Sequence, residues 1–297
     1  MTNTGSDAPP DLAPRLPSPD SLVRQGLAFR AVGAEARAIE FFKQALAAQP
    51  HHLGALVQLA AVYIDTGKAA QALEVLADAR AGAPNNAVVR RLFALCYLQR
   101  SDVPRARQEA EESVRLAPND GVSHTVLGRI LARRQDFRGA EAAFRRGAEL
   151  APDTTYCLVN LGYFLVGRRR LKDAAVVADD AGRAAPDDFG VLLLRGDVAL
   201  RLGKAEEARD FALWALSQKA TNREAIRLLV SVKARQNWFL GLWWRLTANI
   251  WLRLLLVIAS VPLGLWFVPA IYLIAGRVIF DRMIKAELKT VKLKPGF

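Results

Sequence analysis

A proline recurs every 34 residues through most of the chain, and this period constrains the fold more than any other feature. The prolines of the series are Pro50, Pro84, Pro118, Pro152 and Pro186. With 14 prolines in 297 residues, four successive intervals of this length would arise by chance with a probability of roughly 10⁻⁵ to 10⁻⁶. The surrounding residues repeat too, as AAQPHH, AGAPNN, RLAPND, ELAPDT and RAAPDD, and a sixth copy reads SQKATNR. A fixed period of this length indicates one supersecondary unit repeated along the chain.

Each repeat has the hydrophobic spacing of two helices joined by a short break. In the second repeat, apolar residues follow the i, i+3, i+4, i+7 spacing of one helical face, at Leu56, Leu59, Ala60 and Tyr63. A short break, such as Gly67 here or Gly203 in the sixth repeat, then separates the two helices. Because one helix pair cannot bury its apolar face alone, neighbouring pairs must stack to form a core. The sequence therefore predicts an all-α fold, an α-solenoid of helix-turn-helix units.

The period and spacing resemble the tetratricopeptide repeat, whose pattern is W-x₂-L-G-x₂-Y, then A-x₃-F, then P. The first unit matches this pattern at Leu22, Gly26, Phe29, Ala38, Phe42, Ala45 and Pro50, and the fourth at Leu127, Gly128, Ala140, Phe144 and Pro152. The resemblance covers six units over residues 19–222. Before them, the polar, proline-rich residues 1–18 are expected to form a disordered leader. After them, residues 223–235 are expected to form a capping helix.

The resemblance also implies where a partner would bind. In tetratricopeptide proteins the first helices of the units line a concave face that holds extended peptides or helices. On this chain that face would include Arg24, Arg30, Arg91, Arg129, Arg133, Tyr156, Asn160, Tyr163 and Arg201. Arginine and tyrosine are suited to this role, since rigid rings and forked donors are common anchors in protein interfaces. We therefore expect a protein or peptide partner on this face.

The C-terminal part of the chain has a different composition from the repeats. Residues 254–276 contain no charge over 23 residues, and as a helix they would reach about 34 Å, enough for a hydrocarbon core of about 30 Å. The preceding residues 236–253 are aromatic and typical of a membrane-interfacial segment, and 277–297 form a basic tail. The expected interface anchors are Trp238, Trp243, Trp244, Trp251, Arg253 and Arg277. The apolar run fits either a single transmembrane span or a re-entrant hairpin turning at Pro262-Leu263-Gly264, and both would attach the repeats to a lipid bilayer.

The formal charge of +12 supports this interpretation because it is concentrated near the apolar run. Residues 223–297 hold 12 Lys and Arg against 3 Asp and Glu, a net +9, whereas residues 1–222 have 29 and 26, a net +3. Basic residues beside an apolar segment meet anionic headgroups. We therefore expect no nucleic-acid partner, and the alternative of a nucleic-acid-binding solenoid predicts salt-sensitive binding by residues 1–235.

The sequence has no catalytic or metal-ligating motif that we recognise. Walker-type glycine loops, G-x-G-x-x-G, H-E-x-x-H and G-x-S-x-G are missing, and the two cysteines lie 61 residues apart. We expect no catalytic residue, no metal and no cofactor. The combined interpretation is a non-catalytic scaffold that captures a protein partner at a membrane, with cytoplasmic repeats. The arrangement resembles bacterial membrane-associated tetratricopeptide proteins involved in assembling envelope complexes, and this resemblance implies the bacterial inner membrane and a role in assembling a membrane or envelope complex. The alternative is a structural subunit of an integral membrane complex, for which Ser260-x₃-Gly264 would permit close helix contact.

Overall fold

The computed structural model describes residues 17–236, 277–279 and 282. Residues 17–236 form thirteen α-helices and contain no strand, so the predicted all-α fold of stacked helical repeats is confirmed for this part of the chain. The chain divides into two compact units, residues 1–143 and 144–297, which we call unit 1 and unit 2.

Unit 1 consists of helix pairs stacked in sequence order. Its helices are α1 (Pro19–Ala31), α2 (Glu35–Ala48), α3 (Leu53–Asp65), α4 (Ala69–Gly82), α5 (Ala87–Gln99), α6 (Val103–Leu116) and α7 (Gly121–Arg133), and the division between the units falls within α8 (Phe137–Leu150). The first helices α1, α3 and α5 each pack against the second helix of their own repeat and against the first helix of the next repeat. The first helices α1, α3, α5 and α7 therefore form one layer, and the second helices α2, α4 and α6 form another.

Unit 2 has the same two-layer arrangement. Its helices are α9 (Thr155–Gly167), α10 (Leu171–Ala184), α11 (Phe189–Arg201), α12 (Ala205–Gln218) and α13 (Arg223–Gln236). The first helices α9, α11 and α13 pack side by side, while α10 and α12 pack against them from one side. Helix α13 has no second helix in the described residues, and its Ala225, Ile226 and Val230 are fully buried in unit 2.

A polar residue caps each first helix at the same place in the repeat. These N-cap residues are Ser18, His52, Asn86, Asp120, Thr154, Asp188 and Asn222, spaced 34 residues apart. Most of them accept a hydrogen bond from a backbone N–H of the first turn, as Asp188 does from Val191 at 3.0 Å. Such caps satisfy N–H groups that have no partner within the helix. Ser18, which we expected in the leader, is thus part of the fold, and it caps α1.

The turn between the two helices of a repeat is also strictly periodic. One residue in each of the six turns has a positive φ, and these residues are Gly33, Gly67, Ser101, Gln135, Arg169 and Gly203. Glycine adopts this left-handed conformation without steric cost, whereas the other three residue types carry a Cβ that strains it. The helix break inferred at Gly67 and Gly203 is therefore confirmed, and the same geometry occurs where no glycine marks it.

Small residues on the first helices allow close packing, but their contacts differ between the units. In unit 1, a Cβ on Gly26 would lie 2.5 Å from the fully buried Phe42 of the same repeat. In unit 2, a Cβ on Gly162 would lie 2.5 Å from Leu194, which belongs to the first helix of the next repeat. Glycines at this repeat position therefore bring together the two helices of one repeat at Gly26 and two successive repeats at Gly162.

No helix within the described residues is long and apolar enough to cross a membrane. The expected span 254–276, the interfacial segment 236–253 apart from its first residue, and the interface residues Trp238, Trp243, Trp244, Trp251 and Arg253 lie outside the described residues. Of the expected interface residues only Arg277 is described, and it is helical and exposed.

Candidate functional site

The first-helix face of unit 1 is the side of α1, α3, α5 and α7 that carries the predicted arginines. Arg30, near the end of α1, reaches across to α3, where its Nη2 lies 2.7 Å from Asp65 Oδ2 and its Nη1 donates to Gln58 Oε1 at 2.9 Å. Both ion-pair partners keep a substantial exposed fraction, 32% for the Arg30 side chain and 60% for Asp65. An exposed pair of this kind contributes little to stability, so it can exchange partners when a ligand arrives.

Arg91 on α5 is held more firmly than Arg30. Its Nη1 forms an ion pair with Asp120, the N-cap of α7, and the Arg91 side chain is only 17% exposed. Asp120 accepts a hydrogen bond from Ser123 Oγ at 2.6 Å, and Ser123 Oγ lies 2.7 Å from Ser113 Oγ on α6. Ser113 and Ser123 are both fully buried. The geometry gives Arg91 a packing role between repeats, in addition to its place on the predicted face.

The other predicted arginines of unit 1 lie on the same layer. Arg24 on α1 and Arg133 at the end of α7 are exposed, and Arg129 on α7 is half-buried. A ligand could therefore reach Arg24 and Arg133 directly, whereas Arg129 offers only part of its side chain.

The first-helix face of unit 2 is the corresponding side of α9, α11 and α13, and Tyr163 is its main aromatic residue. Burial raises the pKa of the Tyr163 hydroxyl, although 40% of the residue remains exposed. The nearby carboxylates of Asp197 and Glu224 raise the pKa of Tyr163 further, and Arg201 opposes them. Tyr163 therefore stays a neutral hydrogen-bond donor at physiological pH.

Charged side chains flank Tyr163 on the neighbouring helices. Arg201 Nε lies 2.9 and 3.0 Å from the two carboxylate oxygens of Asp197, one helical turn away on α11. Glu224 is exposed at the start of α13. The structure thus brings two predicted residues, Tyr163 and Arg201, together with two carboxylates that the sequence did not single out.

Tyr156 and Asn160 lie on α9, two turns and one turn before Tyr163, respectively. Asn160 Nδ2 donates to the backbone carbonyl of Tyr156 at 2.7 Å, and both residues are half-buried. This local bond uses one amide donor of Asn160 and orients the side chain along the helix. The predicted residues of unit 2 therefore share one helical layer, with Tyr163 and Arg201 the most exposed.

Backbone carbonyls at the C-terminal ends of first helices are satisfied by the next repeat. In unit 1, Gln99 Nε2 donates to Ile64 O at 2.7 Å, and in unit 2, Arg235 Nη1 donates to Leu200 O. Gln99 and Arg235 occupy the same repeat position, as do the two acceptors. A helix end leaves carbonyls without partners, so these bonds fix the register of neighbouring first helices. Aligning the repeats at this position would have revealed the donors in the sequence.

Matches to family models agree with this architecture. Tetratricopeptide repeat models match residues 29–96, 65–130 and 125–189, together more than half of the chain. The chain belongs to the tetratricopeptide repeat family. Comparison with curated protein sequences gives no significant match.

Solved tetratricopeptide structures resemble this one in fold. A subunit in the crystal structure of the APC/C hetero-tetramer Cut9–Hcn1 is 16% identical, with a TM-score of 0.60 over 74% of this chain and 44% of that one. A thermophilic protein of Thermus thermophilus is 21% identical, with a TM-score of 0.58 over 62% of this chain and all of that one. PilW, a widely conserved type IV pilus biogenesis factor, is 17% identical, with a TM-score of 0.54 over 71% and 98%. The chain spans less than half of the first of these proteins. At such identities the likeness establishes the tetratricopeptide fold alone.

One exposed apolar pair on a second helix was missed by the sequence analysis. Leu213 and Trp214 on α12 are 44% and 40% exposed. The five earlier repeats have Lys-Gln, Ala-Asp, Glu-Glu, Arg-Arg and Asp-Asp at the same two positions. A register comparison among the tetratricopeptide repeats would have identified this pair, because only the sixth repeat places two large apolar residues there.

The described residues offer no group of three or more His, Cys, Asp or Glu side chains arranged to hold a metal ion. Cys96 and Cys157 are both fully buried, as expected for small apolar residues of the repeat core. Burial raises the pKa of the Cys96 thiol to about 12, which keeps it protonated and unreactive.

Proposed function

We propose that this protein is a non-catalytic scaffold that binds a segment of a protein partner along its first-helix faces while a C-terminal anchor holds it at a membrane. The observation that carries the binding proposal is the exposed Tyr163, flanked by Arg201, Asp197 and Glu224 on three adjacent first helices of unit 2. A rigid ring beside charged groups is the composition of an interface anchor.

The chemistry of this face favours one kind of segment in unit 2. Arg201 already neutralises Asp197 at hydrogen-bond distance, which leaves Glu224 to attract a cation. A partner segment with an apolar side chain on Tyr163 and a lysine or arginine beside Glu224 would match both features. In unit 1 the exposed Arg24 and Arg133 would instead favour acidic side chains.

The proposed anchor is residues 254–276, with the aromatic residues 236–253 at headgroup depth. The proposal rests on the 23 uncharged residues and on the net +9 of residues 223–297. The repeats would then lie at the cytoplasmic face of a bacterial inner membrane. Similar folds occur in the APC/C hetero-tetramer and in a pilus biogenesis factor, which supports a role in assembling complexes.

Site-specific photo-cross-linking in cells tests the binding proposal. A photoreactive amino acid at Tyr163 should give a discrete adduct with a protein partner, and Glu224→Lys should weaken that adduct. The matched control is Val176, which is 61% exposed on the second helix α10. The proposal fails if position 176 gives the same adduct as position 163, or if Glu224→Lys leaves the adduct unchanged.

A further inference from the structure

The chain leaves unit 2 at one particular edge. The turn edge of unit 2 is the end formed by the C-termini of α9, α11 and α13 together with the turns that follow α9 and α11. These three helices run side by side in the same direction, and the bond from Arg235 to the Leu200 carbonyl brings the ends of α13 and α11 together. The aromatic residues 237–253, and after them the uncharged residues 254–276, therefore follow from this edge.

The turn edge is strongly basic. The turn after α9 contains Arg168, Arg169 and Arg170, and Lys172 follows in the first turn of α10; all four are exposed. One acidic side chain, Asp173, lies beside them, and its Oδ2 is 2.6 Å from Arg170 Nε. The end of α13 adds the exposed Lys233 and Arg235. Around the turn after α11, acidic partners balance the basic residues, since Arg201 pairs with Asp197 and Lys204 with Glu207.

The opposite edge of unit 2 has mixed charges. Its loops carry the exposed Asp153 and Asp187 and the half-buried N-cap Asp188, beside the exposed Lys219, Arg183 and Arg223. Basic residues are therefore clustered at the turn edge, whereas acidic and basic residues are mixed at the opposite edge. An exposed leucine, Leu202, also lies on the basic turn edge, where 41% of it is accessible.

We propose that the turn edge of unit 2 binds the anionic headgroups of the membrane in which the chain is anchored, so that unit 2 stands edge-on on the bilayer. This inference rests on the proposed anchor, because the anchor's position after Arg235 makes this edge the one that meets the membrane. The guanidinium groups donate in pairs to lipid phosphates, and each nearby cation adds to the attraction. The opposite edge, where acidic and basic residues are mixed, offers no comparable attraction, and this difference fixes the orientation.

The test uses the full chain with one introduced cysteine and a fluorescent thiol label. Because Cys96 and Cys157 are buried, the label reacts at the new site. One protein carries Leu202→Cys on the turn edge, and the other carries Asp187→Cys on the opposite edge. Vesicles contain a nitroxide quencher in the headgroup region and are either neutral phosphatidylcholine or include about one-third phosphatidylglycerol. Flotation and label quenching are measured on the same samples.

In anionic vesicles we expect strong quenching at position 202, weak quenching at position 187, and loss of the difference at high salt. Replacing Arg168, Arg169 and Arg170 with glutamine should lower the fraction of edge-bound protein by about tenfold or more. The control triple R146Q, R183Q and R223Q removes the same charge from exposed positions away from the turn edge and should leave the quenching unchanged.

The possible outcomes distinguish failure of the edge proposal from failure of the anchor proposal. Flotation with neutral vesicles tests the anchor, and quenching at position 202 tests the edge. If the protein floats but the two labels are quenched equally, or if the control triple acts like the turn-edge triple, the edge proposal is wrong and the anchor stands. Flotation only with anionic vesicles, lost in the turn-edge triple, supports the edge and refutes the anchor. Salt-sensitive RNA binding that the turn-edge triple abolishes, without quenching at position 202, would assign the surface to nucleic acid and overturn the proposal.

Discussion

Gly162 lies where two successive repeats of unit 2 come closest, and replacing it with alanine should separate them. The new Cβ would lie 2.5, 3.0 and 3.3 Å from Leu194 Cδ2, Cδ1 and Cγ, whereas comfortable carbon contacts are about 3.5–4.0 Å. Because Leu194 is fully buried, the whole side chain must move rather than one methyl group. Overpacking of this kind costs about 1–3 kcal/mol, and the gain from alanine over glycine in a helix returns about 0.5–1 kcal/mol. We therefore expect a net loss of up to about 2.5 kcal/mol in the free energy of unfolding, with a central value of about 1 kcal/mol.

Gly167→Ala is the matched control because it makes the same substitution at the end of the same helix. A Cβ on Gly167 meets nothing within 4 Å, so the helix gain should appear alone and stabilise by up to about 0.5–1 kcal/mol. Urea titration followed by circular dichroism measures both variants. Leu194→Val should be less costly in the Gly162→Ala background than in the wild type, with a coupling of about 1 kcal/mol. The packing argument is refuted if Gly162→Ala stabilises as much as Gly167→Ala.

Local geometry yields three further predictions. Arg169→Gly should stabilise unit 2 by up to about 1 kcal/mol in urea titration, because Arg169 has a positive φ of 60° that strains a residue with a Cβ. Gly203→Ala should destabilise unit 2, because Gly203 has a φ of 88°. The strain argument is refuted if both variants change the free energy of unfolding in the same direction. Ser123→Ala should cost about 0.5–1.5 kcal/mol because it removes the hydrogen bond to Asp120 and one partner of the buried Ser113, which keeps its bond to the Ala87 carbonyl. A neutral result in the same titration would contradict this. Folded Cys96 has a pKa of about 12, so above about pH 9 only the unfolded thiol ionises, and stability should fall by about 1.4 kcal/mol per pH unit up to about pH 12. Cys96→Ala should remove that part of the pH dependence, and equal slopes for variant and wild type would count against the assignment.

Much of the fold could be predicted from the sequence because the repeat fixes both helix length and register. Six copies of the same pattern average out the ambiguity of any single stretch, so the helix pairs and the family are recognisable from the residues alone. Glycines at 67 and 203 marked the turns, because glycine readily adopts positive φ. The same conformation at Ser101 and Arg169 was not visible locally, since neither residue type prefers it.

The candidate site could be predicted only in part, because side-chain pairing depends on the neighbouring repeat. The sequence placed Arg91 on the first-helix face, but its ion pair with Asp120 arises only when α5 and α7 pack together. Asp197 and Glu224 likewise lie near Tyr163 only because α11 and α13 pack beside α9. Residues such as these lie 27 to 61 positions apart in the chain, beyond the reach of helical periodicity.

The role of the basic turn edge of unit 2 also depends on how neighbouring repeats pack, which the sequence does not show. In the sequence, Arg168 to Arg170 form a short basic run with nearby acids, which is typical of a solvated turn, and contact with anionic lipid headgroups is the alternative. In the structure these residues are exposed, as expected of such a turn, and they lie on the edge where α13 ends. That spatial relation, rather than the run itself, makes them candidates for contact with lipid.

The central claim is that the repeats are attached to a membrane by the chain after α13, and membrane fractionation tests it most directly. Full-length protein and a truncation ending at Arg235 are expressed in the same bacterial host, and circular dichroism first establishes that the truncation keeps its helices. The account predicts that the full-length protein stays in the membrane pellet after salt and alkaline washes, while the truncation is recovered in the supernatant. Recovery of both proteins in the supernatant, or retention of the truncation after the washes, would contradict the account.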